Sequence, residues 1–460
     1  MTESREIGET IGYQLRRLRR LRGLTQEELA DHANVSRDLV AKLEQGRRQT
    51  ARITSLVSLA RALDVEVSAL VTRAMPVPET IARRSDRRPG DGPAIRKRAT
   101  TMTAASGLVK GEQGYPEIDD MNRRELLRLL AIAGGSLAAL GAGVDWDRLD
   151  HAARTACLDA ATADEYASLN AQLWHIFAAS QTKSVTFPVV NSQLGVLINA
   201  FPQANGSAMR RRLCGLIADL LQLAGEIFFD ANRYTDAAHC YTMAATASKE
   251  AEAFDLWACA MTRHAFVGVY ERQFDKALPM LMLAADLACN GDSTLSTRHW
   301  VSTVQAHAFA GLGEFDACEK ALDYAEHVHQ LTGRVHTGGW LRFDGSRLAE
   351  ERGTCYVELH RPQLAEAALN EALRQDLSTR RRGSVLTDLA MTGAQCRDPD
   401  RILTYASAAL DTARQTSSGV IGHKLHDLQT YLPPFLSDSR IRQLNTEITD
   451  QIGASDHLNQ

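Results

Sequence analysis

The sequence predicts an all-α protein: a small helical head over residues 1–74, a flexible basic linker over 75–118, and a long helical-repeat body over 119–460. Three observations predict it. Ala and Leu are abundant while only 6% of residues are aromatic, which favours helix over sheet. Apolar residues recur at helical spacing through most of the chain, broken only by short Gly, Asn, Asp or Pro stretches. A turn followed by a small residue returns about every 40 residues in the second half, the mark of stacked helix pairs.

Taken in order, the head reads as five helices. Ile11, Leu15, Leu18 and Leu21 give the first an apolar face, and Arg16, Arg17, Arg19, Arg20 and Arg22 fill the rest. Gly23 stops it. Thr25 caps the second, with Glu28 completing a capping box, and this helix runs to about Ala33. Asn34 and Val35 turn the chain; Ser36 caps the third helix over 37–45, and Gly46 ends it before a basic loop with Arg47 and Arg48. A fourth helix is expected over 52–63 and a short fifth over 68–71. The expected core is Leu15, Leu18, Leu29, Ala30, Val35, Val40, Leu43, Leu56, Leu59 and Leu63, with Glu44 expected to bond across the fold, an arginine of the first helix being a candidate partner.

Five prolines and three clusters of basic residues interrupt any periodicity over 75–118. Charge divides at the same place. Residues 1–110 carry 21 Lys and Arg against 13 Asp and Glu, a surplus of +8, whereas 111–460 carry 31 against 43, or −12. The whole chain, at −4, hides a basic head on an acidic body, and the head is where a nucleic-acid partner is expected.

In the body, windows beginning at Asn232, Arg272, Gly313, His360 and Arg397 each hold a turn and then an anchor residue. The anchors are Ala237, Ala277, Ala317, Ala365 and Ile402, spaced 40, 40, 48 and 37 apart. Such a period means one antiparallel helix pair per unit, stacked into a solenoid.

Other chemistry is not indicated. The eight cysteines are all at least 19 residues apart, so no zinc-binding pair exists, and they read as reduced, packed thiols of a cytoplasmic protein. No metal, cofactor or catalytic constellation is expected, and no enzyme. The apolar run at 129–144 follows Arg123-Arg124 but is too short and glycine-rich to span a membrane, and reads as a buried or interface helix. No secretory signal is read at residues 1–9, which are polar and acidic.

The stretch 24–48, LTQEELADHANVSRDLVAKLEQGRR, resembles the lambda-repressor-like helix-turn-helix domain of the Xre type, and the match extends over 11–71. The resemblance implies a third helix that enters the major groove of double-stranded DNA, with the second helix and following loop on phosphates. By that likeness Arg37 and Lys42 meet guanine O6 and N7, while Asp38 either accepts from cytosine N4 or holds Arg37 in place. Ser36 is a cap with a secondary DNA contact, Gln26 reaches a phosphate at a helix N-terminus, and Arg47 and Arg48 touch the backbone.

The body resembles tetratricopeptide repeats over about 210–415. Gly225, Phe228, Ala237, Tyr241 and Ala244 fall on the motif in the first unit, and Gly353, Tyr356, Ala365, Leu369 and Ala372 in the fourth. The combination is similar to actinobacterial Xre/tetratricopeptide regulators. It implies a concave inner face, on which Gln222, Glu226, Phe266, Tyr270, His299, Phe309 and Arg347 are effector-binding candidates, along with Asp219, Thr262, Ser302 and Glu350. The expected protein is a DNA-binding transcriptional regulator, homodimeric on an inverted-repeat operator, whose body senses a peptide or small-molecule effector. The alternative is a DNA-localised scaffold whose repeats recruit a protein partner.

Overall fold

The computed structural model describes residues 11–47, 53–63, 158–180, 182–331, 339–416 and 418–459, with isolated positions between them. The linker, the apolar run at 129–144, Arg48, Cys157 and most of the expected fifth helix lie outside the described residues. Among those described there are eighteen α-helices and no strand. None of these helices is long and apolar enough to cross a membrane.

The head holds α1 (Ile11–Leu21), α2 (Gln26–His32), α3 (Arg37–Glu44) and α4 (Ile53–Ala62). Its boundaries follow the expected signals. Thr25 and Glu28 form the reciprocal capping box, and the Ser36 hydroxyl accepts from the Leu39 N–H. Gly23, Asn34 and Gly46 take the positive φ values that end each segment. Leu15, Leu29, Val40, Leu43, Leu56, Leu59 and Leu63 are sealed from solvent, while Leu18 and Val35 are partly buried at the rim.

The body opens with α5 (Ala160–Ala179) and α6 (Phe187–Ala200), both packed on α7 (Ser207–Asp230). Six helix pairs follow. They are α7 with α8 (Tyr234–Glu250), α9 (Phe254–Tyr270) with α10 (Phe274–Cys289), and α11 (Thr297–Gly311) with α12 (Phe315–Glu326). Then come α13 (Leu348–Glu358) with α14 (Pro362–Leu373), α15 (Thr379–Gln395) with α16 (Pro399–Thr416), and α17 (Gly419–Gln429) with α18 (Ser439–Asn459). The first helix of each pair touches the first helix of the next, so these form an inner layer and their partners an outer one.

The turn within each of the first five pairs is the same object. Asn232, Arg272, Gly313, His360 and Arg397 all sit at φ between 53° and 77°. In each, the following N–H bonds back five residues: Arg233 to Phe228, Gln273 to Gly268, Glu314 to Phe309, Arg361 to Tyr356 and Asp398 to Gly393. This is the Schellman closure, and it reverses the chain in three residues. It also corrects one anchor. Five residues after each turn residue comes a buried side chain, and in the third pair this is Cys318, fully buried, not the half-buried Ala317. Close helix approach completes the pairs: a Cβ on Gly225 would meet the Tyr241 ring at 2.3 Å.

The array curls until α17 meets α7 and α9. A Cβ on Gly419 would meet the Asn232 carboxamide oxygen at 2.2 Å, and the Tyr270 hydroxyl donates to the Val420 carbonyl at 3.1 Å. Tyr270 also stacks on His423, centroids 4.4 Å apart. The described cysteines are free thiols, and burial pushes Cys214 and Cys259 up to about 12. Cys289 and Cys396, however, are exposed at the ends of α10 and α15, against the expectation of packing throughout.

Four of the five turn residues carry a side chain where glycine is the relaxed choice. His360, exposed and in no ion pair among the described residues, is the clean test. His360→Gly relieves the strained φ but adds unfolded-state entropy, so it should stabilise the body by about 0.5–1 kcal/mol. The check is a rise in the urea midpoint at unchanged slope.

Candidate nucleic-acid interface

α3 owes its position to two contacts with α1. The first is steric: a Cβ on Gly12 would lie 1.8 Å from the Leu43 carbonyl oxygen, so the helices touch backbone to backbone. The second is electrostatic. Arg19 of α1 reaches Glu44 at the end of α3 in a two-pronged pair, Nε to Oε1 at 2.6 Å and an Nη to Oε2 at 2.8 Å. Its other Nη donates to the Leu24 carbonyl at 2.7 Å, in the turn before α2. The Gln26 side-chain nitrogen donates to Glu44 Oε2 at 2.7 Å. One carboxylate thus ties α1, α2 and α3 together. Burial pushes Glu44 up, but the bonds from Arg19 and Gln26 and the charges of Arg19 and Arg16 outweigh it and hold it below the usual carboxylate range.

With its Val40 and Leu43 face locked inward, α3 turns Arg37, Asp38 and Lys42 to solvent. Ser36 stands exposed at its N-terminus and Arg47 beyond its end. Asp38 accepts from Lys42 at 2.7 Å, one helical turn away. Of the two roles weighed for Asp38 from the sequence, holding Arg37 is therefore not the geometry adopted: adjacent helix positions diverge, and i,i+4 positions meet. An exposed pair of this kind is weak and opens readily to other partners. Gln26 is half-buried, with its amide nitrogen engaged by Glu44 and its backbone at the first position of α2. The Gln26–Glu44 bond was not foreseen. The capping box places Gln26 correctly, but nothing in local spacing pairs residues 18 apart.

The effector candidates divide. Gln222, Glu226, Phe266, Tyr270 and Arg347 belong to a polar and aromatic belt on the inner helices. Glu226 accepts from Tyr241 at 3.0 Å and from Arg263 at 3.2 Å, while Gln222 accepts from Arg263 at 2.7 Å. Arg347 pairs with Glu350 at 2.8 Å and with Glu351 at 3.2 Å. Phe266 and Tyr270 pack with Phe229, and Tyr270 is covered by α17. His299 turns the other way and stacks on Tyr324 of α12 at 5.6 Å, and Phe309 packs beside Cys318 and Cys355. Arg263, the centre of the belt, escaped the sequence reading, which took its neighbour Thr262 for the inner face. Among the described residues no group of three or more His, Cys, Asp or Glu is placed to hold a metal ion.

A family model described as a helix-turn-helix domain matches residues 10–71. The immunity repressor protein of Bacillus phage phi105 is 39% identical over 62 residues, which is 14% of this chain. The chain spans 42% of that repressor's length. An uncharacterized HTH-type transcriptional regulator, y4dJ, of Sinorhizobium fredii is 42% identical over 67 residues, 15% of this chain and 86% of the relative.

Two outcomes test how α3 is held. Gly12→Ala forces α1 and α3 apart and should abolish DNA binding while the helical signal of the body persists in circular dichroism. Because Glu44 is held low in the folded head, its contribution to stability is complete above the ordinary carboxylate value of about 4.3 and is lost as pH falls through its folded value. Amide exchange over residues 11–47 should therefore accelerate below about pH 4, and Glu44→Gln should flatten that dependence.

Proposed function

Since the chain belongs to the helix-turn-helix transcriptional regulators, we propose that it is a sequence-specific one in which α3 reads the major groove and the helical repeats act as sensor and dimerisation module. The observation that carries the readout is the exposed Arg37, Asp38 and Lys42 face on a helix locked from behind by Gly12 and Glu44. Arg37 and Lys42 suit guanine edges, and Asp38, released from Lys42, suits the cytosine amino group. Ser36, Gln26, Arg47 and Arg48 would position the head on phosphates. One head reads a half-site, so a two-fold pair on an inverted repeat is the natural assembly.

We read residues 1–74 as the DNA-binding unit, 75–118 as a linker and 119–460 as the sensor. The repeats are of the tetratricopeptide type in this reading. The five matching turns and the Gly225 and Gly353 approaches support it. The inner belt supports sensing over scaffolding, because α17 covers the inner aromatic surface that an extended protein partner would need. A linker of this length transmits no small strain, so an effector must act by favouring one spacing of the two heads over another.

Arg37→Ala should weaken binding to the cognate site by about 1–3 kcal/mol and relax preference at one base pair, whereas Arg47→Ala should weaken all sequences equally. Selection of bound DNA from a random pool, repeated with both variants, reads this directly. Equal, sequence-blind losses would remove α3 from the groove. A recovered site without two-fold symmetry would remove the dimer.

A further inference from the structure

The body has two large apolar cores, and they do not merge. One gathers the inward side chains of α5 to α9, from Tyr166 to Val267. The other runs from Tyr356 in α13 to Ile448 in α18. Between them, α9 to α13 pack through small, alanine-rich clusters, such as Ala265, Ala277 and Ala308, or Ala306, Ala310 and Ala321. A strut, residues 340–347, leads into α13 along this middle. Its Trp340 carbonyl accepts from Arg263 at 2.8 Å, and its Phe343 carbonyl accepts from the Ser296 hydroxyl.

The array closes where the two lobes meet, and that seam is polar and aromatic. Asp230, buried at the end of α7, takes Arg380 of α15 at 3.1 Å and the Ser418 hydroxyl at 3.2 Å. Tyr270 donates to the Val420 carbonyl and stacks on His423, whose ring also meets Tyr234 edge-on. Arg272 pairs with Glu358 of α13, an Nη to Oε2 at 2.9 Å. Ile421, Leu425 and Leu428 of α17 belong to the second core, while Val420, half-buried, leans on the first.

Such a seam costs less to part than a core. Water can satisfy its polar groups, and little apolar surface is laid open, whereas breaking either lobe exposes a great deal. Packed helices such as those of the alanine-rich middle can slide by small amounts without losing contact. We propose that the body is a two-lobed clamp, latched by Asp230 and Tyr270 against α15 and α17, which opens at this seam as the middle helices shear. Opening bares the inner belt of Glu226, Arg263 and Arg347, and an effector that binds one of the two states better shifts the balance between them. That consequence rests on the sensing function above; the motion itself does not.

Gly419 offers a wedge. A Cβ there would lie 2.5 Å from the Asp230 carbonyl oxygen and 2.2 Å from the Asn232 side-chain oxygen. Alanine otherwise suits a helix better than glycine, so Gly419→Ala should part the seam and leave both lobes intact. Asp230→Asn removes the Arg380 ion pair by a separate route. Pulsed electron paramagnetic resonance on the full-length protein reads the motion, with spin labels on the exposed Cys289 of the second pair and Cys396 of the fifth, in a Cys157→Ser background. Wild type should show a major distance and a minor second one. Either variant should raise the ratio of minor to major roughly 10-fold or more, the loss of a charge-assisted bond or its steric equivalent. High salt should raise it in the wild type, and should both variants unfold, that titration decides alone. One narrow distance, unchanged by salt and shared by any folded variant, overturns the clamp. A second distance, with operator affinity in Gly419→Ala unchanged in the presence or absence of native-cell extract, would uphold the clamp and sink the sensing reading. A single distance with an extract that shifts operator affinity would do the reverse.

Discussion

A single backbone constraint organises the body: in the first five pairs the chain reverses through one residue held in the left-handed region. The reversal is short, so the second helix must begin two residues after it and descend against the first. That fixes which side chain of the second helix points inward, and it is always the fifth after the turn residue. With the second helices held outside, the first helices are left to face one another. The belt from Glu226 through Arg263 to Arg347 and Glu350 exists because those residues ride on this inner layer or on the strut beside it. Only Gly313 meets the constraint with glycine, so the other turns depend on the packing of their helices to hold a conformation their own side chains disfavour.

The head solves a similar problem with charge. Three short helices bury too little apolar surface to fix their mutual angles by packing alone. Glu44 receives Arg19 and Gln26 together, and Arg19 continues to the Leu24 carbonyl, so every segment from α1 to the end of α3 is bound to one carboxylate. A buried ion pair contributes little net stability, but its geometry is directional, and direction is what an exposed reading face requires. The same carboxylate therefore fixes the direction in which the exposed face of α3 points.

Most of the head was legible in the sequence because its signals are local. A capping box, a serine cap and three turn residues mark every boundary from Leu21 to Gly46, and spacing alone assigns the core. The body was legible as helix pairs for the same reason, with one anchor misplaced by a residue because Ala317 and Cys318 are both small. What escaped was long-range. Nothing in the local text places Trp174, Trp300 and Trp340 around Arg263, or returns α17 to Asp230. His299 was assigned to the inner face by motif register, but the helix presents Trp300 there and turns His299 onto Tyr324. Register arguments tolerate an error of one residue in a core list; on a lining surface the same error selects a different wall.

Closure by α17 changes the mechanics of the whole array. An open solenoid behaves as a one-dimensional chain of units, each answering only to its neighbours, and it frays from whichever end is weaker. Here the sixth pair rests on the first two through Ser418 and Asp230, Tyr270 and Val420, and the Tyr270–His423 stack. The units between have no weak end to melt from, because loosening any of them strains a contact some 150 to 190 residues away in sequence. The cost is slow assembly: contacts at such separation form late and only after most of the chain is ordered. The gain is cooperativity, so that whatever alters the interior is felt by all six pairs at once.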